Sequence, residues 1–334
     1  MTSVPVGEAA DLPPARRGTG PVLRSLVLVA VLSLGASCAN PDLGTAAGEL
    51  DAELADLPGV TSVRLDYGEP LPLDSGKIAL RVEMSGTATA DEVVAVAETA
   101  YDAFSTTHRG EEANLAVRTG RTTVSLRSFE PEASTTAVGD AVRTGLAAAS
   151  GPESVAVDLT TDGVAGGDHV AGTYLVSLPG GSTYADVPAL LASLAARHPD
   201  DSLVGWGGVA SDGASLSYDS GFPPALLVDR WERLQEAGLP LAVRAYSDGP
   251  LIAEGRLTDR PDVDDPADRR VLDEITHPQL LALGDGAWVY TVRGSGGASL
   301  AEIDRLTCVA TAEGPYDEVL EAWFTATSGP CVEQ

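Results

Sequence analysis

From residue 57 onward the chain repeats a pattern of two short strands followed by an amphipathic helix, with a period of about 40 to 50 residues. In the segment 77–85, apolar residues alternate with polar or small ones, which predicts a half-buried strand. Thr89 and Glu92 then have the spacing of a capping box, which predicts the start of a helix. The repeat therefore predicts an α+β protein.

The order of these elements predicts how each unit folds. Counted from the second strand, the order strand, helix, strand, strand, helix, strand occurs twice. This is the split βαβ, or ferredoxin-like, arrangement, in which helices cover one face of an antiparallel sheet. We therefore predict a tandem of three small α+β units, at residues 57–160, 161–247 and 248–334.

The charge of the chain excludes one large class of partner. Of its 334 residues, 21 are Lys or Arg and 49 are Asp or Glu, so the formal net charge is −28. Nucleic acid phosphates and anionic lipid headgroups repel such a chain. Because no basic cluster stands out along the sequence, we predict no nucleic acid partner. For the same reason, we expect the acidic body to stand off a lipid surface.

The first forty residues contain a short apolar stretch that precedes a cysteine. Arg16, Arg17 and Arg24 come before the 13-residue segment 25–37, which Cys38 follows directly. As a helix this segment would span about 20 Å, less than the roughly 30 Å of a bilayer core. We therefore predict a signal peptide at 1–37, followed by a small, acidic tether at 38–56.

Small residues immediately before Cys38 give this segment a family resemblance. Gly35, Ala36 and Ser37 resemble the lipobox of bacterial prolipoproteins, although Leu34 lies one residue earlier than the usual Leu. The resemblance covers about 14 residues. It implies cleavage before Cys38, acylation of its thiol with palmitate-type chains, and anchoring at the extracytoplasmic face of the cell membrane. The alternative is a short uncleaved anchor with an ordinary buried Cys38.

The remaining cysteines agree with export. Once Cys38 is acylated, Cys308 and Cys331 form an even pair. Outside the cytoplasm, a disulfide is the usual state of such a pair. In the chain-entropy picture, this bridge would stabilise the fold by about 3 kcal/mol. The alternative is two separately buried thiols. No cysteine or histidine spacing indicates zinc, so we predict no metal site.

The sequence contains no recognisable catalytic motif. We find no nucleophile elbow, zinc-protease motif, dinucleotide-binding motif or phosphate-binding loop. The sequence therefore predicts no catalytic residue and no cofactor, and favours a non-catalytic binding, scaffold or interaction module. Its expected partners are the membrane, through Cys38, and envelope proteins or cell-wall components.

Two alternatives come from other classes of protein. His169 follows Asp168, and such a pair in an extracytoplasmic hydrolase would orient a base for a serine nucleophile. Ser177, Ser182 and Ser217 are the candidate serines, and the sequence does not rank them. A calcium-dependent adhesion or sensor module is the other alternative, because several carboxylates alternate with prolines in the loop 259–268.

Trp206 is the one residue that we single out as a ligand contact. The protein has only four tryptophans, and glycines at 205, 207 and 208 surround this one. Glycines in a strand let a ligand or another stretch of backbone approach closely. The sequence therefore predicts that Trp206 lies where either a ligand or a neighbouring segment contacts the strand.

Overall fold

The computed structural model describes residues 42–71, 74–149, 153–162, 169–198, 203–236, 238–259, 261–305 and 314–328. The predicted signal peptide lies outside these residues, as do Cys38, Asp168, Cys308 and Cys331. Within the described ranges, no helix is both long enough and apolar enough to cross a membrane.

The described chain forms one α+β structure of alternating hairpins and helices. The helices are α1 (Gly44–Ala55), α2 (Ala90–Ser105), α3 (Thr135–Ala148), α4 (Val187–Arg197), α5 (Ala225–Gln235), α6 (Pro266–Leu283) and α7 (Asp317–Ser328). The strands are β1 (Val60–Gly68), β2 (Lys77–Met84), β3 (Glu112–Thr119), β4 (Thr122–Ser128), β5 (Ser154–Thr160), β6 (Ala171–Ser177), β7 (Val204–Val209), β8 (Ser215–Tyr218), β9 (Leu241–Ala245), β10 (Leu251–Arg256), β11 (Trp288–Arg293) and β12 (Ser299–Asp304).

All twelve strands belong to one mixed sheet, and they lie side by side in chain order. Strands joined by a hairpin, such as β1 and β2 or β3 and β4, are antiparallel. Strands joined through a helix, such as β2 and β3 or β4 and β5, are parallel. The repeat is therefore a strand–strand–helix unit that adds two strands to a growing sheet.

The structure contains neither the split βαβ order nor the purely antiparallel sheets that the sequence predicts. Crossover connections between parallel strands are strongly preferred to be right-handed. In the split order, every helical crossover can be right-handed while all helices lie on one face of the sheet. Here α2 and α3 join strand pairs of opposite direction, step the same way across the sheet and cover the same face. Neighbouring crossovers therefore have opposite hands, a topology that the handedness rule disfavours.

The core lies between the sheet and the single layer of helices. In β2, for example, Ile78, Leu80 and Val82 are buried against α2, whereas the alternate side chains are partly or fully exposed. The buried residues form two clusters, one from α1 to β7 and the other from α4 to α7. Helix α4 joins them, because Leu190 belongs to the first cluster and Val187 to the second.

Part of the predicted tether is folded. Ala47, Leu50 and Leu54 of α1 are buried against the first cluster. The hydroxyl of Tyr67, in β1, accepts a hydrogen bond of 2.9 Å from the backbone N–H of Leu43. The ordered body therefore begins before residue 57, and its first described residues are fixed at the β1 edge of the sheet.

Candidate functional site

The helix layer has a gap above the middle of the sheet. Helix α2 packs closely on α3 and α5 packs on α6, whereas α3 and α4 barely touch. A cleft of about 270 Å³ opens on the α3 side of this gap, over β6 and β7. It is lined by Ala137, Asp140, Ala141 and Thr144 of α3, by His169, Val170 and Tyr174, and by Leu203, Val204 and Trp206. The cleft thus brings together His169 and Trp206, which are 37 positions apart in the sequence.

Two aromatic rings form the floor of the cleft. Tyr174 of β6 and Trp206 of β7 meet edge to face, with ring centroids 4.7 Å apart. This geometry is favourable for aromatic pairs. The Tyr174 hydroxyl donates a hydrogen bond of 2.8 Å to the carbonyl of Ala141, which ties the floor to α3. The floor is therefore attached to α3.

Trp206 is the more deeply packed of the two floor residues. Its side chain is only 1% exposed. Phe222 stacks on it at 4.8 Å and the His198 ring lies 5.0 Å away, both measured between centroids. Burial, with a smaller contribution from Arg197, lowers the pKa of His198. A ligand in the cleft would therefore touch one edge of the indole.

The glycines around Trp206 make room for backbone. A Cβ atom on Gly205 would lie 2.0 Å from the carbonyl oxygen of Tyr218. The chain after β8 returns along β7, where the Trp206 N–H donates to the Gly221 carbonyl at 3.0 Å. Of the two alternatives left by the sequence, the structure therefore explains Gly205 by the approach of another backbone segment.

Polar groups lie at the rim of the cleft. Asp140 and His169 are exposed, and Thr144 is half-buried. The Asp140 carboxylate accepts a hydrogen bond of 2.9 Å from Arg143, but both side chains remain well exposed to solvent. Apolar walls with a few polar groups at the opening are typical of small-molecule sites. The arrangement suits a small apolar ligand with one polar or cationic end.

A larger hollow, of about 680 Å³, lies over the ends of β9 and β10. Its charged lining residues are Asp212, Glu254 and Arg256, and Arg256 forms an ion pair of 3.1 Å with Glu254. The Asp212 carboxylate accepts hydrogen bonds from the backbone N–H groups of Tyr184 and Ala214. The charged groups of this hollow therefore already have partners within the protein.

The serines proposed for a hydrolase do not reach His169. His169 precedes β6, and Ser177 ends that strand eight residues later, about 26 Å away along the extended chain. Ser182 accepts a hydrogen bond of 2.9 Å from the Ser211 N–H beyond the far end of β6. Ser217 faces away from the helices, opposite Gly207. None of the three lines the cleft.

The acidic loop acts as a helix start. Asp265 caps α6 by accepting a hydrogen bond of 2.7 Å from the Ala267 N–H. Asp268 accepts from the Asp262 N–H at 2.8 Å, and Asp262 accepts from the Asp264 N–H at 3.0 Å. In the described part of the chain, no group of three or more acidic, histidine or cysteine side chains could hold a metal ion.

Sequence reasoning identified Trp206 and His169 but missed the α3 wall of the cleft. Ala137, Asp140, Ala141 and Thr144 occupy one side of a helix whose apolar face is formed by Val138 and Val142. Small and polar residues in such positions are ordinary on a surface helix. Only the missing contact between α3 and α4 makes them part of a site.

No protein-family model, curated protein or solved structure matches the chain. None of these comparisons therefore indicates catalysis.

Proposed function

We propose that the protein is an envelope lipoprotein that is anchored through Cys38 at the extracytoplasmic face of the cell membrane. Its body acts as a non-catalytic binding module. Two or three acyl chains on Cys38 would hold the chain durably, because each buried methylene contributes about 0.8 kcal/mol. A disulfide between Cys308 and Cys331 fits the same compartment.

The cleft between α3 and α4 is the observation that carries the binding function. It has an aromatic floor that is hydrogen-bonded to α3, apolar walls and a rim with Asp140 and His169. Its volume of about 270 Å³ is close to the lower end of small-molecule sites. The expected ligand is therefore a small envelope component with an apolar body and one amine or hydroxyl group.

Filling the cleft tests this function. In Ala141→Phe, the new ring occupies the space between α3 and the Tyr174 floor. Ala147→Phe is the matched control, since Ala147 is exposed on the same helix and does not line the cleft. Native mass spectrometry of protein extracted from membranes should find the same small molecule bound to wild type and Ala147→Phe, and not to Ala141→Phe. Equal retention by all three proteins would refute the cleft as the binding site.

A further inference from the structure

No helix of the described residues covers the second face of the sheet. We call this the open face, defined as the side chains of β1 to β12 that point away from the helix layer. It carries eight of the chain's 21 basic residues, and seven acidic residues. The bases are Arg64, Lys77, Arg81, Arg118, Arg127, Arg244, Arg256 and Arg293, and the acids are Asp66, Glu83, Glu112, Asp158, Glu254, Glu302 and Asp304. The open face is therefore close to neutral, although the net charge of the chain is −28.

Two arginines of the open face lie directly opposite each other. Arg64 of β1 pairs with Arg81 of β2 in the antiparallel register. Both are exposed, and neither forms an ion pair with another described residue. Like charges in directly opposite positions destabilise a sheet. A sequence that breaks a local rule without a visible gain in stability often does so for function.

Two more arginines extend this pair across the neighbouring strands. Arg118 of β3 lies 4.0 Å from Glu83, at the limit of an ion pair, and Arg127 of β4 lies opposite the uncharged Asn114. We call Arg64, Arg81, Arg118 and Arg127 the arginine patch. It extends across three strand spacings, about 14 Å. Four arginines from four strands are scattered along the sequence, which is why the patch is visible only in the fold.

The chain leaves the body toward Cys38 at the β1 edge, which is the sheet edge nearest the arginine patch. Leu43 is held there by its hydrogen bond to Tyr67, whose side chain packs on the helix side of the sheet. Cys38 lies five positions before Leu43, so an extended chain reaches about 18 Å from this point. This length lets the chain pass around the β1 edge, so an acyl anchor on Cys38 can hold the open face of β1–β4 against the lipid surface.

We propose that the arginine patch docks on anionic lipid headgroups of the membrane that holds Cys38, so that the open face of β1–β4 lies on the lipid and the acidic helix layer points away. This proposal rests on the proposed anchor. The net charge of the whole chain does not decide docking, because charges further than about 8 Å apart are largely screened at physiological salt. On β1–β4 the open face carries Lys77 and the four arginines against Asp66, Glu83 and Glu112, which leaves an excess of two positive charges there. Each arginine at an anionic surface favours the docked orientation by about fivefold.

The test uses the full-length lipidated protein in two kinds of vesicle, phosphatidylcholine alone and equal parts of phosphatidylcholine and phosphatidylglycerol. Phenylglyoxal modifies accessible arginines, and peptide mass spectrometry gives the rate at each one. We expect Arg64, Arg81 and Arg127 to react at least about fivefold more slowly in the anionic vesicles. Arg244, which lies on the open face far from the anchor, is the internal control and should react equally in both.

Variants separate docking from general shielding. Arg64→Gln/Arg81→Gln should restore the reactivity of Arg127 in anionic vesicles, whereas Arg244→Gln should leave Arg127 protected. Equal reactivity of Arg64, Arg81 and Arg127 in both vesicles, with the protein still attached, would overturn the docking proposal alone. Protein that floats with neither kind of vesicle would instead refute the anchor.

Discussion

Arg64 and Arg81 lie directly opposite each other on the open face of β1 and β2, and neither has an ion-pair partner among the described residues. We expect Arg81→Glu to replace this repulsion with an attraction and to raise the free energy of unfolding by about 0.5 to 1 kcal/mol. Urea unfolding at low salt measures this change, and added salt should reduce it.

Arg127→Glu is the control for this substitution. Its cross-strand neighbours, Asn114 and Thr160, carry no charge, so no like-charge contact is removed. Both substitutions make the net charge of the chain more negative by the same amount. A gain in stability of the same size in both variants would therefore show that the Arg64–Arg81 pair is not responsible.

A buried ionisable pair ties the start of the body to the first sheet strands. His108, 1% exposed, and Glu111, 6% exposed, are joined by a contact of 2.6 Å between Nδ1 and Oε2. Glu111 also accepts a hydrogen bond of 2.9 Å from Tyr67, whose hydroxyl accepts from the Leu43 N–H. Since removing one member of a buried pair leaves the other unpaired, we expect Glu111→Ala to lower the free energy of unfolding by about 3 kcal/mol.

The next residue in the sequence provides the comparison. Glu112 pairs with Lys77 at 3.0 Å, but both side chains are more than half exposed. We expect Glu112→Ala to cost less than about 0.5 kcal/mol. Equal losses from the two alanine variants, measured by the same urea titration, would contradict a structural role for the buried pair.

Gly205 is required for the close approach of the segment after β8. An added Cβ would lie 2.0 Å from the Tyr218 carbonyl oxygen, so the backbone must shift. We expect Gly205→Ala to destabilise the protein by about 2 kcal/mol or more. In Gly86→Ala the Cβ meets nothing within 4 Å, so this variant should keep the wild-type melting temperature within experimental error. If Gly205→Ala is as stable as the wild type, β7 and the segment 218–221 do not pack as described.

The anchor prediction concerns Cys38. We expect labelled palmitate to enter the wild-type protein and not Cys38→Ser, and we expect only the wild type to need detergent for extraction from membranes. Cys331→Ser is a control, because it removes a cysteine without touching the lipobox. If Cys38→Ser is labelled with palmitate, or if the wild-type protein is not labelled, Cys38 is not the site of acylation.

The local elements of this fold follow from the sequence, and their arrangement does not. Alternating apolar residues in β2 and the capping box at Thr89 and Glu92 predict elements that the structure contains. The strand order could not be read in the same way, because it depends on which strands pair across each helix. The handedness preference even favoured the wrong order.

The same limit applies to the candidate site. Trp206 stood out because glycines flank a rare aromatic residue, and His169 stood out because it follows an acid. Asp140 and Thr144 gave no signal, since their role depends on a gap between two helices. The arginine patch was missed for a related reason, because strand pairing rather than sequence proximity brings Arg64, Arg81 and Arg127 together.

The binding cleft is tested most directly by the imidazole NMR signals of the four histidines. His169 lies on the rim of the cleft, whereas His108 and His277 do not line it and serve as internal controls. We expect small fragments with an ammonium group on an apolar ring to shift the His169 signal in wild type and in Ala147→Phe, and to leave it unchanged in Ala141→Phe. If no such fragment moves His169, or if the shift persists when Phe fills the cleft, the gap between α3 and α4 is not a binding site.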